Sequence, residues 1–536
     1  MMLIVLGYLL FAYIGPMAAV IGEAFSSESS LPFILSDHFP AIRFSFKQAS
    51  VSTFFTLLLG IPGAWVFSAY QFKGKRTLNA ILSVPFMLPT VIVAAGFNAL
   101  LGQNGWLNLL LKSLPMEIGP IRWMNTFQMI ILAHVFYNTS LVIRVVGNAW
   151  TLIDSRILDA ARTLGASRRS LFSRIIFPLL RPSLLSAALL TFLFDFSSYG
   201  VILLLGGPRF RTIETEIADQ ALQMLDLRTA GILSLIQIAF TLLIVIAERK
   251  LSKGSTKTRK IKVYDENLRL PGSFGEKWIL YTIVYGLLLF TVLPLAALMF
   301  RSFWVLKGDI GRSRIATGFS LVYYRGLFEN ARNSFFYVAP GKAILFSARN
   351  AACCALLSLG MGLLMVFSAR KHHAMRILEN ASILPIGTSA VTLGLGYLLF
   401  YRKAITSFWV IPIAHSLIAL PFVVRTLEPA VMQIPQNLHD SAAVLGADSR
   451  MVFRKIDLPI IRKAILNSCI FAFTISMGEF GATSFLSRPD EPTLTVAIYQ
   501  YLSKPGGLNY GQAMAMATIL MFFCFAAIYF MNRTES

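Results

Sequence analysis

Of 536 residues, 56% are hydrophobic and only 14% charged, and 48 basic against 26 acidic side chains leave a formal charge of +22. Soluble chains average roughly 45–50% apolar and about 25% charged residues, so too few charges remain here to cover a soluble surface. The 43 phenylalanines exclude a disordered chain, since such chains are poor in aromatics and large aliphatics. The apolar residues fall into blocks of about 20, the length that crosses a ~30 Å hydrocarbon core at 1.5 Å per residue. In chain order they predict spans near 2–22, 47–70, 79–101, 126–149, 183–207, 227–247, 277–302, 341–368, 377–401, 406–428, 464–487 and 512–531. The expected fold is an all-α polytopic membrane protein with about twelve transmembrane helices. A spanning barrel would need short alternating segments instead.

The first block, Met2–Gly22, reads as a membrane helix. It lacks a basic leading region, and its apolar stretch exceeds the 7–15 residues of a secretory signal. The missing basic residues leave open a true start upstream of Met1. Cys353, Cys354, Cys469 and Cys524 all lie inside expected spans with no paired-ligand spacing, so they read as packing residues rather than a disulfide framework or a zinc site.

An internal repeat organises the chain. Val66-Phe67-Ser68-Ala69 recurs as Val366-Phe367-Ser368-Ala369, with Gly60 meeting Gly360 and Pro85 meeting Pro385 at the same offset of 300. Beyond the extra sequence around 102–125 the offset becomes 281: Ala133-His134 meets Ala414-His415, Gly165 meets Gly446, and Pro178 meets Pro459. Tyr199-Gly200 likewise meets Phe480-Gly481, and Pro208 meets Pro489. Two six-helix repeats follow, 1–250 and 277–536, joined by a basic linker over 251–276. Six spans return the chain to its starting side, so the repeats are parallel. The larger share of Lys and Arg falls on the linker side, which places the linker and both termini in the cytoplasm. So distributed, the positive charge forms no single nucleic-acid surface.

Each half carries one long cytoplasmic loop, 150–182 and 429–463. The first reads Asp159-Ala160-Ala161, three residues, Gly165, then Ile175-Ile176-Phe177-Pro178; the second reads Asp440-Ser441-Ala442, three residues, Gly446, then Ile456-Asp457-Leu458-Pro459. Each is a short helix with small residues on one face, closed by a glycine suited to a helix C-terminus, and followed by an amphipathic stretch and a proline that opens a new segment. Such a helix is shaped to enter a groove on another protein.

Here the sequence resembles the permease subunits of importers of the ATP-binding cassette type, whose EAA loop has this spacing. Asp159 and Asp440 replace its Glu, Ser441 the first Ala, and Phe177 the Leu. The resemblance implies a type I permease fold with both halves fused, in the cytoplasmic (inner) membrane of a prokaryote. It also implies coupling loops docked into two copies of a cytoplasmic ATP-binding subunit, and an extracytoplasmic substrate-binding protein. No phosphate-binding loop stands in this chain, the nearest stretch being Pro340-Gly341-Lys342-Ala343, so ATP and Mg are expected in the partner and no cofactor or metal here. Fused halves resemble the thiamine and ferric-iron permease group. Residues 43–49, Leu132–Asn138, Gly206-Gly207-Pro208 and Thr212-Ile213-Glu214 look closest to thiamine permeases. A ferric-iron or polyamine permease is the alternative, and a six-plus-six secondary transporter a more distant one. No catalytic constellation is evident.

Charges inside spans ask for a functional hypothesis. Asp195 and Glu479 sit on equivalent fifth helices, with Ser476 and Ser198 as their repeat counterparts. All four are expected to line a pathway, the acids suiting a cation, unless they serve helix–helix hydrogen bonds or an outer gate. His134 and His415, also paired by the repeat, read as packing histidines, and Arg144 and Arg425 as side chains reaching the interface.

Overall fold

A computed structural model describes residues 2–26, 31–114, 119–256, 268–310, 317–328, 340–371, 384–488 and 490–535. Ten of its helices are long and apolar enough to cross a membrane. They are α1 (Leu3–Ala24), α2 (Ile34–Ala69, whose helix begins at Leu31), α5 (Phe127–Thr151), α7 (Arg169–Phe196), α9 (Leu227–Leu251), α10 (Phe274–Phe303), α11 (Pro340–Ala369), α13 (Val410–Met432), α15 (Ser449–Gly478) and α16 (Gly507–Met531). A bent pair, α3 (Lys75–Met87) and α4 (Thr90–Leu101), makes an eleventh. The span expected over 377–401 begins outside the described residues, and its described part is α12 (Ala390–Phe400). Pro489, Arg376 and much of the linker also lie outside them.

Several expected boundaries change. The second span begins at Leu31 rather than 47. Its early turns are mixed because their polar side chains have partners inside the protein: His38 Nδ1 lies 3.1 Å from Glu216, and Ser45 accepts the Ile213 amide. Both partners belong to α8 (Ile213–Leu222). The third span is broken by 106° between α3 and α4. Leu88 precedes a proline and is therefore driven out of helical geometry, with ψ 138°. The fifth spans begin well before the expected 183 and 464: one helical rod runs from each loop through Pro178 or Pro459, each entered by a widened π-helical turn, Phe172–Ile176 and Phe453–Asp457. Pro178 and Pro459 stand directly after that widened turn, and the rod continues through them. The far ends of the fifth spans also change. Helix stops at Phe196 and at Gly478 instead of running to 207 and 487.

Within each half the second and fourth spans pack along their length, α2 on α5 and α11 on α13. The first span of each half crosses to the other: α10 lies on α4, and the later part of α1 on α12. Repeat-matched glycines permit both crossings, since a Cβ on Gly96 would stand 2.9 Å from the Pro294 carbonyl oxygen and one on Gly396 2.8 Å from that of Pro16. In the last turn of α10, Arg301 is 1% exposed and forks onto Asp309 at 2.9 and 2.7 Å, while the Tyr323 hydroxyl donates to the same carboxylate at 2.6 Å. This knot holds the segment bearing the paired strands β1 (Trp304–Val305) and β2 (Gly318–Phe319). The end of the linker is tied to the first half, with Gln71 donating to the Arg269 carbonyl at 2.9 Å. The four cysteines are free thiols.

Candidate functional site

The repeat places matching breaks in the middle of the molecule: Leu88–Pro89 and Thr388–Ser389 before α4 and α12, Ser197–Tyr199 after α7, and Glu479–Phe480 after α15. Around them lies a cavity of about 380 Å³ between the halves, lined by residues of both, among them Asp195, Ser198 and Glu479. Ser476, the fourth expected lining residue, does not reach it. It is buried and bonded at 2.8 Å to His415 Nδ1, because it sits one turn before the break, on the face turned to α13.

The two acids do different work. Glu479 stands in the break and turns its carboxylate onto the next helical turn, accepting from the Ala482 and Thr483 amides at 2.9 Å each, from the Thr483 hydroxyl, and facing His415 Nε2 at 3.2 Å. Every oxygen is satisfied. Asp195, still within helix and 1% exposed, accepts one bond from Asn138 at 2.7 Å on Oδ1, with His134 Nδ1 at 3.6 Å. Its Oδ2 has no hydrogen-bond partner, nor have His134 Nε2 and the Tyr137 hydroxyl, and all three residues line the cavity. His415 bonds through both nitrogens, as a packing histidine should, whereas His134 bonds Ser52 through Nδ1 alone.

Aromatic pairs complete the cavity. Phe86 and Phe194 meet edge to face at 5.8 Å, Phe422 and Phe471 lie tilted to each other at 5.4 Å, and Tyr199 stacks on Phe480 at 5.6 Å. The last two are repeat counterparts. They also line a second cavity, of about 260 Å³, and among the described residues are the lining that the two cavities share. Sequence reasoning missed Tyr137, Asn138 and the phenylalanines. A signal existed for two of them, since the quoted stretches converge on Asp195: Gln48 donates to its carbonyl at 2.7 Å, and Leu132–Asn138 supplies His134, Tyr137 and Asn138.

At the other end of the rods stand the two loops. Asp159, Ala160 and Ala161 lie in α6 (Ser155–Thr163), and Asp440, Ser441 and Ala442 in α14 (Gln436–Val444). Gly165 and Gly446 follow with φ of +82° and +76°. The next amide reaches back to the Ala161 or Ala442 carbonyl at 2.9 Å, the left-handed closure that glycine favours. Ile175 and Ile456 fall in the π-helical turns. Leu164, Val444 and Leu445 are 88%, 89% and 86% exposed.

Two pseudo-equivalent helical halves around a central cavity, each with a protruding loop helix, define a membrane transport component. The chain matches the family described as binding-protein-dependent transport system inner membrane component over residues 56–253 and 272–533. It belongs to that family and is a multi-pass inner-membrane protein. It is 24% identical to the thiamine transport system permease protein ThiP of Escherichia coli K12, over 90% of this chain and 87% of the relative. Its identity to ThiP of Brucella abortus is 25%, over 92% and 87%. A chain of a bacterial alginate ABC transporter superposes on 48% of this chain and 95% of its own length, at 20% identity and a TM-score of 0.40.

Proposed function

We propose that this chain is the translocation subunit of an importer driven by ATP hydrolysis in a separate cytoplasmic subunit, present in two copies that bind the ATP and Mg. A substrate-binding protein outside delivers a thiamine-type cation into the cavity between the halves, and the linker and both termini face the cytoplasm. The observation that carries the coupling is the pair of loop helices, closed alike by left-handed glycines and presenting Leu164, Val444 and Leu445 to solvent. Three bare aliphatic side chains at repeat-matched tips suit grooves on two identical partners. Thiamine is favoured by the names of the relatives and by the cavity. A hard trivalent metal asks for several oxygen ligands, whereas the aromatic cavity offers one free carboxylate oxygen among the described residues.

Uptake of radiolabelled thiamine into cells lacking their own thiamine permease tests this reading. The chain, expressed with its neighbouring ATPase and binding protein, should restore uptake. The Leu164→Ser/Leu445→Ser double variant should insert normally, melt within ~0.5 kcal/mol of the parent, as surface changes do, and transport poorly. Unchanged uptake in that variant would remove the coupling role.

A further inference from the structure

The repeat makes the halves near copies, yet the polar groups at the cavity are satisfied on one side only. In the second half Glu479 and His415 spend every side-chain acceptor and donor within their own half. In the first half the equivalent level holds three unpartnered polar atoms on cavity-lining side chains, Asp195 Oδ2, His134 Nε2 and the Tyr137 hydroxyl. A buried carboxylate oxygen without a partner is costly. Its neighbours do not relieve it, since Asn138 is committed to the other oxygen and Gln48 to the backbone carbonyl. Around it stand the ring pairs Phe86–Phe194, Phe422–Phe471 and Tyr199–Phe480, drawn from both halves.

From this asymmetry we infer that the cavity is a one-sided recognition site for an aromatic organic cation, whose positive centre pairs with Asp195 and whose ring is taken by the phenylalanine walls. Glu479 touches no ligand; it is a positioning residue that holds the break of the second half open. The inference rests on reading the cavity as the pathway and adds which half reads the substrate and by what chemistry. Aromatic faces attract cations through their quadrupole and stack with flat rings. One carboxylate facing three ring pairs therefore selects a flat, singly charged organic ion over a metal ion or a polyvalent amine.

The test uses the full-length chain in nanodiscs with two probes, radiolabelled thiamine and benzyltrimethylammonium, an aromatic cation of unrelated structure. Asp195→Asn should weaken both by ~10-fold or more, equivalent to ~1.4 kcal/mol, with an unchanged melting midpoint. Glu479→Gln should lower the midpoint instead, and restoring the fold by cooling should restore binding. Because a buried variant can misfold, the wild-type chain is also treated with dicyclohexylcarbodiimide and mapped by mass spectrometry. Asp195 should be labelled ahead of Glu479, and either cation should protect it. Full binding by Asp195→Asn, loss of binding in a stable Glu479→Gln, labelling of Glu479 ahead of Asp195, or failure of both cations to bind would each overturn the inference. Binding of benzyltrimethylammonium through Asp195 without binding of thiamine would keep the inference and remove thiamine as the substrate.

Discussion

Arg301 and Asp309 are both buried and geometrically matched, and Tyr323, whose phenol burial pushes above its ordinary value, donates to the same carboxylate. Removing one member of such a pair strands the other charge, which costs about 3–5 kcal/mol. Asp309→Ala should therefore lower the melting temperature in detergent sharply, and Tyr323→Phe should cost only ~1 kcal/mol, the net worth of one hydrogen bond. Gly165 and Gly446 set a second residue-scale constraint. A Cβ on either would meet nothing within 4 Å, so the penalty of alanine is purely conformational, about 1–2 kcal/mol in the left-handed region. That penalty falls on the loop helices alone. Gly165→Ala/Gly446→Ala should consequently leave the melting of the spans unchanged and reduce ATP-driven uptake in a reconstituted system.

Among the elements, the crossing of α1 and α10 onto the opposite halves depends on small residues. Filling Gly96 or Gly396 with a methyl group would press on the carbonyls of Pro294 and Pro16, and overpacking of this kind costs typically about 1–3 kcal/mol. Gly96→Ala/Gly396→Ala should make limited proteolysis of the linker release separable halves, where the parent stays joined. These elements also mark what sequence can and cannot disclose. The loops were readable because a left-handed glycine and an early-turn proline are local demands that recur at a fixed spacing. The break at Glu479–Phe480 was not, because hydropathy averages across a bend, and at Leu88–Pro89 the local mark of the proline was masked by apolar flanks. Nor could any pattern within 2–22 reveal which half it packs against, since both halves offer an apolar groove. Asp195 was found by being charged in a span. That one of its oxygens lacks a partner depends on Asn138 and Gln48, distant in sequence, and Ser476 turns to His415 because the repeat equates positions but not the faces they turn.

For the whole molecule, the Tyr199–Phe480 stack matters most. Its rings stand between the cavity bearing Asp195 and the second cavity, and each ring rides on a chain break rather than within a helix. If transport passes from one cavity to the other, the stack must part. Replacing Cys353, Cys354, Cys469 and Cys524 by alanine and introducing Tyr199→Cys/Phe480→Cys gives a direct check: a short bifunctional thiol reagent should abolish the uptake that the double variant retains and leave that of each single variant at its untreated level. Fusion of the halves has its own consequence at this scale. A symmetric pair of identical subunits would have to change Asp195 and its mate together, whereas one continuous polypeptide lets a mutation strike a single copy. Joined copies need not stay identical, and the duplicated His134 and His415 already differ, one bonded through a single nitrogen and the other through both.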